Sequence, residues 1–219
     1  MIKKLVLLIL ICSGCSAGTA NLQSRHVPDL EARGIRRIAV MPPGSAAAQT
    51  AKIPFTAPVG EARVAEREAP ELLARLVYSA MVALANWQIV SESEVRDVDS
   101  AGSSTSEAAR IKSIGEMVYA DGVMTGAVLR FRERIGDDWG AKSPASVAFT
   151  LQLFDVRRGD VVWSARYDET QKSLTENPFG LAEIGTRGVR WLTVEELTQD
   201  GVRKAVGDLH QLLGRSSAP

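Results

Sequence analysis

Apolar positions change period about half-way along the chain. Before residue 120 they recur mostly at helical spacing, and beyond it they alternate. In "RRIAVMPP" Ile38 and Val40 alternate with Ala39 and Met41, which predicts a short strand ended by Pro42-Pro43. Leu72, Leu73, Leu76, Val77, Ala80, Met81 and Leu84 then share one helical face. Glu66, Glu68 and Glu71 suit the positive end of that helix, Pro70 its first turn, and Asn86 a left-handed stop. "WQIV", residues 87–90, predicts a second strand. Ser91 with Glu94, and Ser104 with Glu107, have the spacing of capping boxes that open two more helices. The second of these carries Ile111, Ile114 and Val118 on its apolar face.

From Asp121 the chain reads as strands. "DGVMTGAVLRFRER" sets Leu129 and Phe131 against Arg130 and Arg132. Val147, Phe149, Leu151 and Leu153 form one face of the next strand, and Val161, Trp163, Ala165 and Tyr167 one face of the last. "VRRGD" between them predicts a tight turn and hence a hairpin. Asn177-Pro178 predicts a short helix, and a third capping box, Thr193 with Glu196, opens a final one. That helix puts Val194, Leu197, Val202, Ala205, Val206, Leu209 and Leu212 on one side. The order β-α-β-α-α-β-β-β-α predicts an α/β fold, a mixed sheet of about five strands with packed helices. The long small-residue stretch 44–66, with Pro54 and Pro58, fits neither period and reads as a mobile loop.

Charge narrows the function classes. Lys+Arg and Asp+Glu both number 26, so no global basic field gathers nucleic acid. The two histidines, His26 and His210, lie far apart, and both cysteines, Cys12 and Cys15, sit at the N-terminus. That distribution argues against a Cys/His zinc site, and no cofactor is expected.

The N-terminus carries the clearest functional signal. Lys3-Lys4 precede the apolar run Leu5 to Ile11, then Cys12-Ser13-Gly14-Cys15. A positive segment, a short apolar run and small residues make a secretory signal. The run is too short to span a bilayer, which takes roughly 20 apolar residues. A CxxC redox pair would open a helix in a βαβ unit, and here the pair closes a signal segment. The pattern resembles the lipobox of bacterial lipoproteins, with Cys12 where Leu is usual. The resemblance implies cleavage before Cys15 and lipidation of Cys15. Ser16, in place of an aspartate, implies the outer membrane, facing the periplasm. Cleavage there removes two lysines and no acid, and leaves no free thiol.

Further along, "IVSESEV", "YADGVMTGAV" and "LQLFDVRRGDVVWSARYDE" resemble the CsgG lipoprotein superfamily, with its LpoB-type and TolB amino-terminal relatives. Ala120, Asp121, Gly126 and Val128 fit the family's strand pattern; Asp155, Gly159, Trp163 and Ser164 fit its hairpin, with Arg158 replacing the usual Thr. The likeness spans roughly Arg36 to Leu213 and implies the same α/β fold. The predicted organisation is a signal peptide over 1–14, a lipidated tether over 15–34, the domain over 35–213 and a tail over 214–219.

Neither G-x-G-x-x-G nor a P-loop is present, and the one G-x-S-x-G match, Gly14 to Gly18, lies across the lipobox cysteine and not at a strand-to-helix turn. Arg158-Gly159-Asp160 spells an adhesion tripeptide and reads better as a turn. Asp137-Asp138 beside Gly136 reads as a solvated turn. Arg130, Arg132 and Arg134 read as a solvated face that could meet phosphates or an acidic partner. Trp139, Phe179 and Trp191, apolar groups in polar settings, are the candidate partner contacts. The reading is a non-enzymatic adaptor, anchored to the membrane through lipidated Cys15, that binds an unidentified envelope protein. The alternatives are a homo-oligomeric ring in a secretion machine and, without a supporting constellation, an envelope hydrolase. The connection over 132–145 is charged and too short for two membrane-spanning strands. Purified protein added to lipid vesicles is therefore expected to give no conductance; discrete channels would contradict this.

Overall fold

The computed structural model describes residues 21–41, 62–101, 106–137, 140–171 and 191–214. The expected helix at Asn177-Pro178 and the stretch 44–61 lie outside them. Eight strands and four helices are described: β1 (Leu22–His26), β2 (Arg37–Val40), α1 (Ala62–Val82), β3 (Gln88–Ile89), α2 (Glu92–Ala101), α3 (Glu107–Met117), β4 (Gly122–Arg132), β5 (Ile135–Asp137), β6 (Gly140–Ser143), β7 (Ser146–Asp155), β8 (Asp160–Thr170) and α4 (Val194–Gly214). A 3-10 turn spans Glu31–Arg33. The main sheet has six strands in the order β1-β8-β7-β4-β2-β3, and β5-β6 form a separate small hairpin. β2 runs parallel to β3 and β4, and the β4-β7, β7-β8 and β8-β1 pairs are antiparallel. This is the expected mixed α/β sheet, with β1 added at one edge.

Alternation decides which residues each layer covers. Ile38 and Val40 of β2, Met124 of β4, the Phe149-Leu151-Leu153 stripe of β7 and Trp163 and Tyr167 of β8 pack in one cluster. Leu73, Val77 and Met81 of α1 cover it, with Leu197, Val202, Val206 and Leu209 of α4. Each such large side chain contributes roughly 1.5–3 kcal/mol by leaving water. On the opposite face, Val95 of α2 and Ile111 and Ile114 of α3 pack on Ala39, Val123 and Phe154. Two of the three expected caps act as their spacing implies. Ser91 Oγ accepts from Glu94 N at 3.3 Å, and Thr193 and Glu196 cap each other reciprocally at 3.2 and 2.9 Å. Asn86 holds the expected left-handed conformation, φ 76°, but α1 already ends at Val82, so it turns the chain into β3 and does not stop the helix.

Four expectations need correction. The 15–34 stretch is not all tether, because Leu22–His26 pair with β8 and bring the fold's start forward. The same strand gives the expected mixed sheet its sixth member. Pro70 lies inside α1, which starts at Ala62; "ARVAERE" is rich in helix formers, and the ring costs one intrahelical hydrogen bond. Ser106, not Ser104, caps α3, accepting from Ala109 N at 3.2 Å. A bulge shifts the β7-β8 register after Leu153, so Val162 is buried and Val161 is 43% exposed.

The N-terminal segment is pinned by charge. Arg33 is buried, and its guanidinium donates to Asp155 at 3.1 Å, to Asp160 at 3.1 Å and to Asp29 at 3.0 Å. Asp155 Oδ1 also accepts from Arg157 N and Arg158 N, and Gly159 at φ 77° closes the β7-β8 turn. The hydrogen bond to Asp160 is the largest influence on Arg33; with those to Asp29 and Asp155 it outweighs burial and raises the guanidinium pKa. Arg158-Gly159-Asp160 is thus a structural turn whose acid is held by Arg33.

Close approach makes two helical glycines unequal. A Cβ on Gly201 would lie 2.8 Å from Cγ of Tyr167 and nearer still to other ring carbons, whereas a Cβ on Gly207 would meet nothing within 4 Å. Gly201→Ala should therefore destabilise the fold by about 1–3 kcal/mol through overpacking. Gly207→Ala should be neutral or stabilising by up to about 1 kcal/mol. Urea unfolding of the two variants against the parent measures the difference.

Candidate functional site

Among the described residues, helices α2 and α3 cover only part of the second sheet face. The remainder, across β4, β7, β8 and β1, presents a grid fixed by the strand registers. One row reads Thr125, Gln152, Ser164, Arg25; the next Ala127, Thr150, Arg166, Gln23. The third runs Arg130, Ala148, Asp168, and the fourth Arg132, Ser146, Thr170. These positions are polar or small, and most are partly or fully exposed. Four arginines share the face with one aspartate, on a chain whose charges balance overall.

Local packing explains its layout. A bulge in β4 between Val128 and Arg130 keeps Phe131 in the core and puts Arg130 and Arg132 on the open side. Arg130 donates to Ser146 Oγ at 2.5 Å, to the Val147 carbonyl at 3.3 Å and to Asp168. The guanidinium has to cross β7 at Ala148 to reach Asp168 on β8. Alanine leaves room for the crossing, and Ala148 is itself buried. Arg166 approaches the same carboxylate at 3.3 Å. Burial disfavours the Asp168 anion, but the Arg130 hydrogen bond and charge, with those of Arg166, outweigh it and hold its carboxyl below the ordinary value. Arg132, Arg166 and Arg25 remain exposed. Arg134, grouped with Arg130 and Arg132 in the sequence reading, lies beyond the end of β4 and off this grid.

The face ends at an open strand edge. Asp168 N donates to the Asn21 carbonyl and Val27 N to the Val162 carbonyl. Antiparallel pairs alternate, so residues 21, 23, 25 and 27 turn their backbone groups toward β8. The N–H and C=O groups of Leu22, Ser24 and His26 point outward, and among the described residues nothing pairs with them. The other sheet edge is β3, only two residues long.

Of the candidate lipidation and partner contacts from the sequence, Trp191 is described and lies off this face. Trp191 is half-buried just ahead of α4, where Leu192 N donates to Gln171 Oε1 at 2.8 Å. Cys15, Trp139 and Phe179 lie outside the described residues. Of the three aromatic candidates the described residues include Trp191 alone. His210 packs edge-on to Trp87 at 5.2 Å and bonds the Ala85 carbonyl at 2.8 Å, while His26 lies on β1. A shallow depression lies at Val40, Met41, Ala74, Arg75, Glu92 and Arg96. Among the described residues no cluster of His, Cys, Asp and Glu could hold a metal ion, and no helix is long and apolar enough to cross a membrane.

No known family profile matches the chain, and no curated protein matches it. Several solved structures are similar. The PelC dodecamer from Paraburkholderia phytofirmans has a TM-score of 0.43 at 18% identity, over 86% of this chain and 95% of that chain. Lipoprotein GNA1162 from Neisseria meningitidis has a TM-score of 0.34 at 15% identity, over 69% of this chain and 96% of that one. The LpoB C-terminal domain from Salmonella enterica has 0.34 at 17% identity, over 63% and 84%. All three TM-scores are below 0.5, and the functional reading rests on the chain's own residues.

Asp29, too, is held below its ordinary value of 3.8, first by the hydrogen bond from Arg33 and against burial. Asp29 and Asp168 therefore bind protons more weakly in the folded chain than in the unfolded one. Their contribution is complete above the ordinary value and is lost as pH falls through the lowered folded-state values. Urea midpoints should drop as pH is taken from 6 to 3, and Asp168→Asn should flatten that drop. A midpoint independent of pH would contradict the ion-pair geometry.

Proposed function

We propose that the chain is a lipid-anchored protein of the bacterial envelope that works by binding a partner, without catalysis. The observation that carries the reading is the N-terminal order Lys3-Lys4, Leu5 to Ile11, Ser13-Gly14-Cys15. Acyl chains on Cys15 hold the protein at the membrane, each buried CH₂ contributing about 0.8 kcal/mol. Ser16 after the lipidated position favours the outer membrane, with the domain in the periplasm.

The sheet makes that anchor a short one. Six residues, Ser16 to Asn21, separate Cys15 from β1. Fully extended they reach roughly 20 Å. The domain then stays beside the bilayer, where confinement raises its effective concentration for a membrane-proximal partner. The open sheet face and the β1 edge are the surfaces offered to it. Binding is favoured over catalysis by the placement of both histidines: each sits on its own element, and His210 is taken up by Trp87 and the Ala85 carbonyl.

Metabolic labelling with a palmitate analogue, followed by membrane fractionation, tests the anchor. The parent and Cys12→Ser should label and sediment with outer membranes, and Cys15→Ser should do neither. Unlabelled Cys15→Ser protein that still sediments with membranes would end the lipoprotein reading.

A further inference from the structure

We propose that β1 is an acceptor edge for an extended acidic polypeptide segment, which adds to the sheet as a seventh strand. The inference rests on the binding reading above but not on the lipid anchor. Its geometric basis is the outward N–H and C=O groups of Leu22, Ser24 and His26, a ready ladder of alternating donors and acceptors. No proline interrupts β1, and the strand lies at the end of the sheet order.

Charge selects the occupant. A residue of the added strand opposite Arg25 would place its side chain on the open sheet face, beside an exposed guanidinium. The neighbouring position on that face, opposite Gln23, looks toward Arg166 one strand further in. Arg130 and Arg132 continue the same field, and Asp168, the one acid of the grid, is already engaged by Arg130 and Arg166. Carboxylates at alternate positions of the incoming strand therefore meet arginines, while its backbone completes the ladder. Opposite-charge pairs across strands add roughly 0.2–1 kcal/mol each.

Two other occupants fit less well. A second copy pairing antiparallel about Ser24 would set Arg25 opposite Gln23 of the other copy. The two Arg25 side chains would then be diagonal neighbours on one face, a like-charge contact. Anionic lipid headgroups match the arginines but offer no row of alternating donors and acceptors at strand spacing for the outward groups of β1.

A fluorescein-labelled ten-residue peptide of alternating glutamate and threonine, with an alternating lysine–threonine peptide as control, tests the proposal by anisotropy at low salt. The full chain is used in neutral detergent, and Cys15→Ser protein without it, so that loss of the anchor cannot imitate loss of the edge. The glutamate peptide should bind both, and the lysine peptide neither. Arg25→Glu should weaken the glutamate peptide at least tenfold and gain the lysine peptide, a gain that an unfolded variant could not show. Ser24→Pro, which removes an outward N–H, should abolish binding with the circular dichroism of the domain unchanged. Binding that survives Ser24→Pro, or that ignores the sign of the peptide, overturns the proposal. So does absence of peptide binding alongside capture on phosphatidylglycerol vesicles, or a dimer that Ser24→Pro dissolves.

Discussion

One buried guanidinium decides where β1 lies. Arg33 draws together Asp29 from its own segment, Asp155 from the end of β7 and Asp160 from the start of β8. Asp155 is 1% exposed, so a charge there without Arg33 would stand desolvated and alone. Arg157 closes the arrangement by donating to the Arg33 carbonyl, and Arg158 pairs with Asp29 at 3.1 Å. The β7-β8 turn and the 3-10 turn are thereby one unit. β1 is led along β8 in a single register because the residues that follow it cannot slide. Asp121 does the equivalent work next door, accepting from Arg36 N and Arg37 N at 3.1 and 2.9 Å where β2 begins.

From that fixed register the open face follows. In a sheet a one-residue slip would exchange the two faces of every strand. Trp163, Tyr167, Phe149 and Leu153 hold β7 and β8 with their apolar sides under α1 and α4. The opposite sides are left with Thr150, Gln152, Ser164 and Arg166, residues that a helix could not cover without leaving polar groups unpaired. Helices α2 and α3 accordingly sit where the second face is apolar, over Ala39, Val123 and Phe154, and stop there. The two bulges, in β4 and at Val162, are the local adjustments that keep both assignments intact along strands of 11 residues.

What the sequence disclosed and what it hid divide along physical lines. The stripes of α1, α4, β7 and most of β8 were legible because each buries one face, and a buried face imposes its period. The caps at Ser91 and Thr193 were legible because their hydrogen bonds run between residues three apart. Arg33 was not, since its buried partner lies 122 positions away and arginine is ordinarily a surface residue. Nor was β1: "LQSRH" has a single apolar residue, because an edge strand exposed on most positions is held by main-chain bonds to β8 rather than by burial. The candidate face escaped for a related reason. Arg25, Arg130 and Arg166 come from three separated strands, and only register makes them neighbours, whereas Arg130, Arg132 and Arg134 could be grouped by spacing alone.

The composition that concealed β1 also makes its exposure tolerable. A long apolar free edge is a template for aggregation, and proteins usually shorten, cover or charge such edges. β3 is kept to two residues, while β1 keeps five and carries one arginine. That single charge sits on the open face, not on the apolar one, so it discourages a second copy without closing the ladder to strands of opposite sign. An edge that were purely defensive would be better served by a proline or a bulge, devices this chain uses elsewhere, in α1 and in β8. Their absence from Leu22–His26, on a segment fixed in register by Arg33, is what separates a selective edge from an unprotected one.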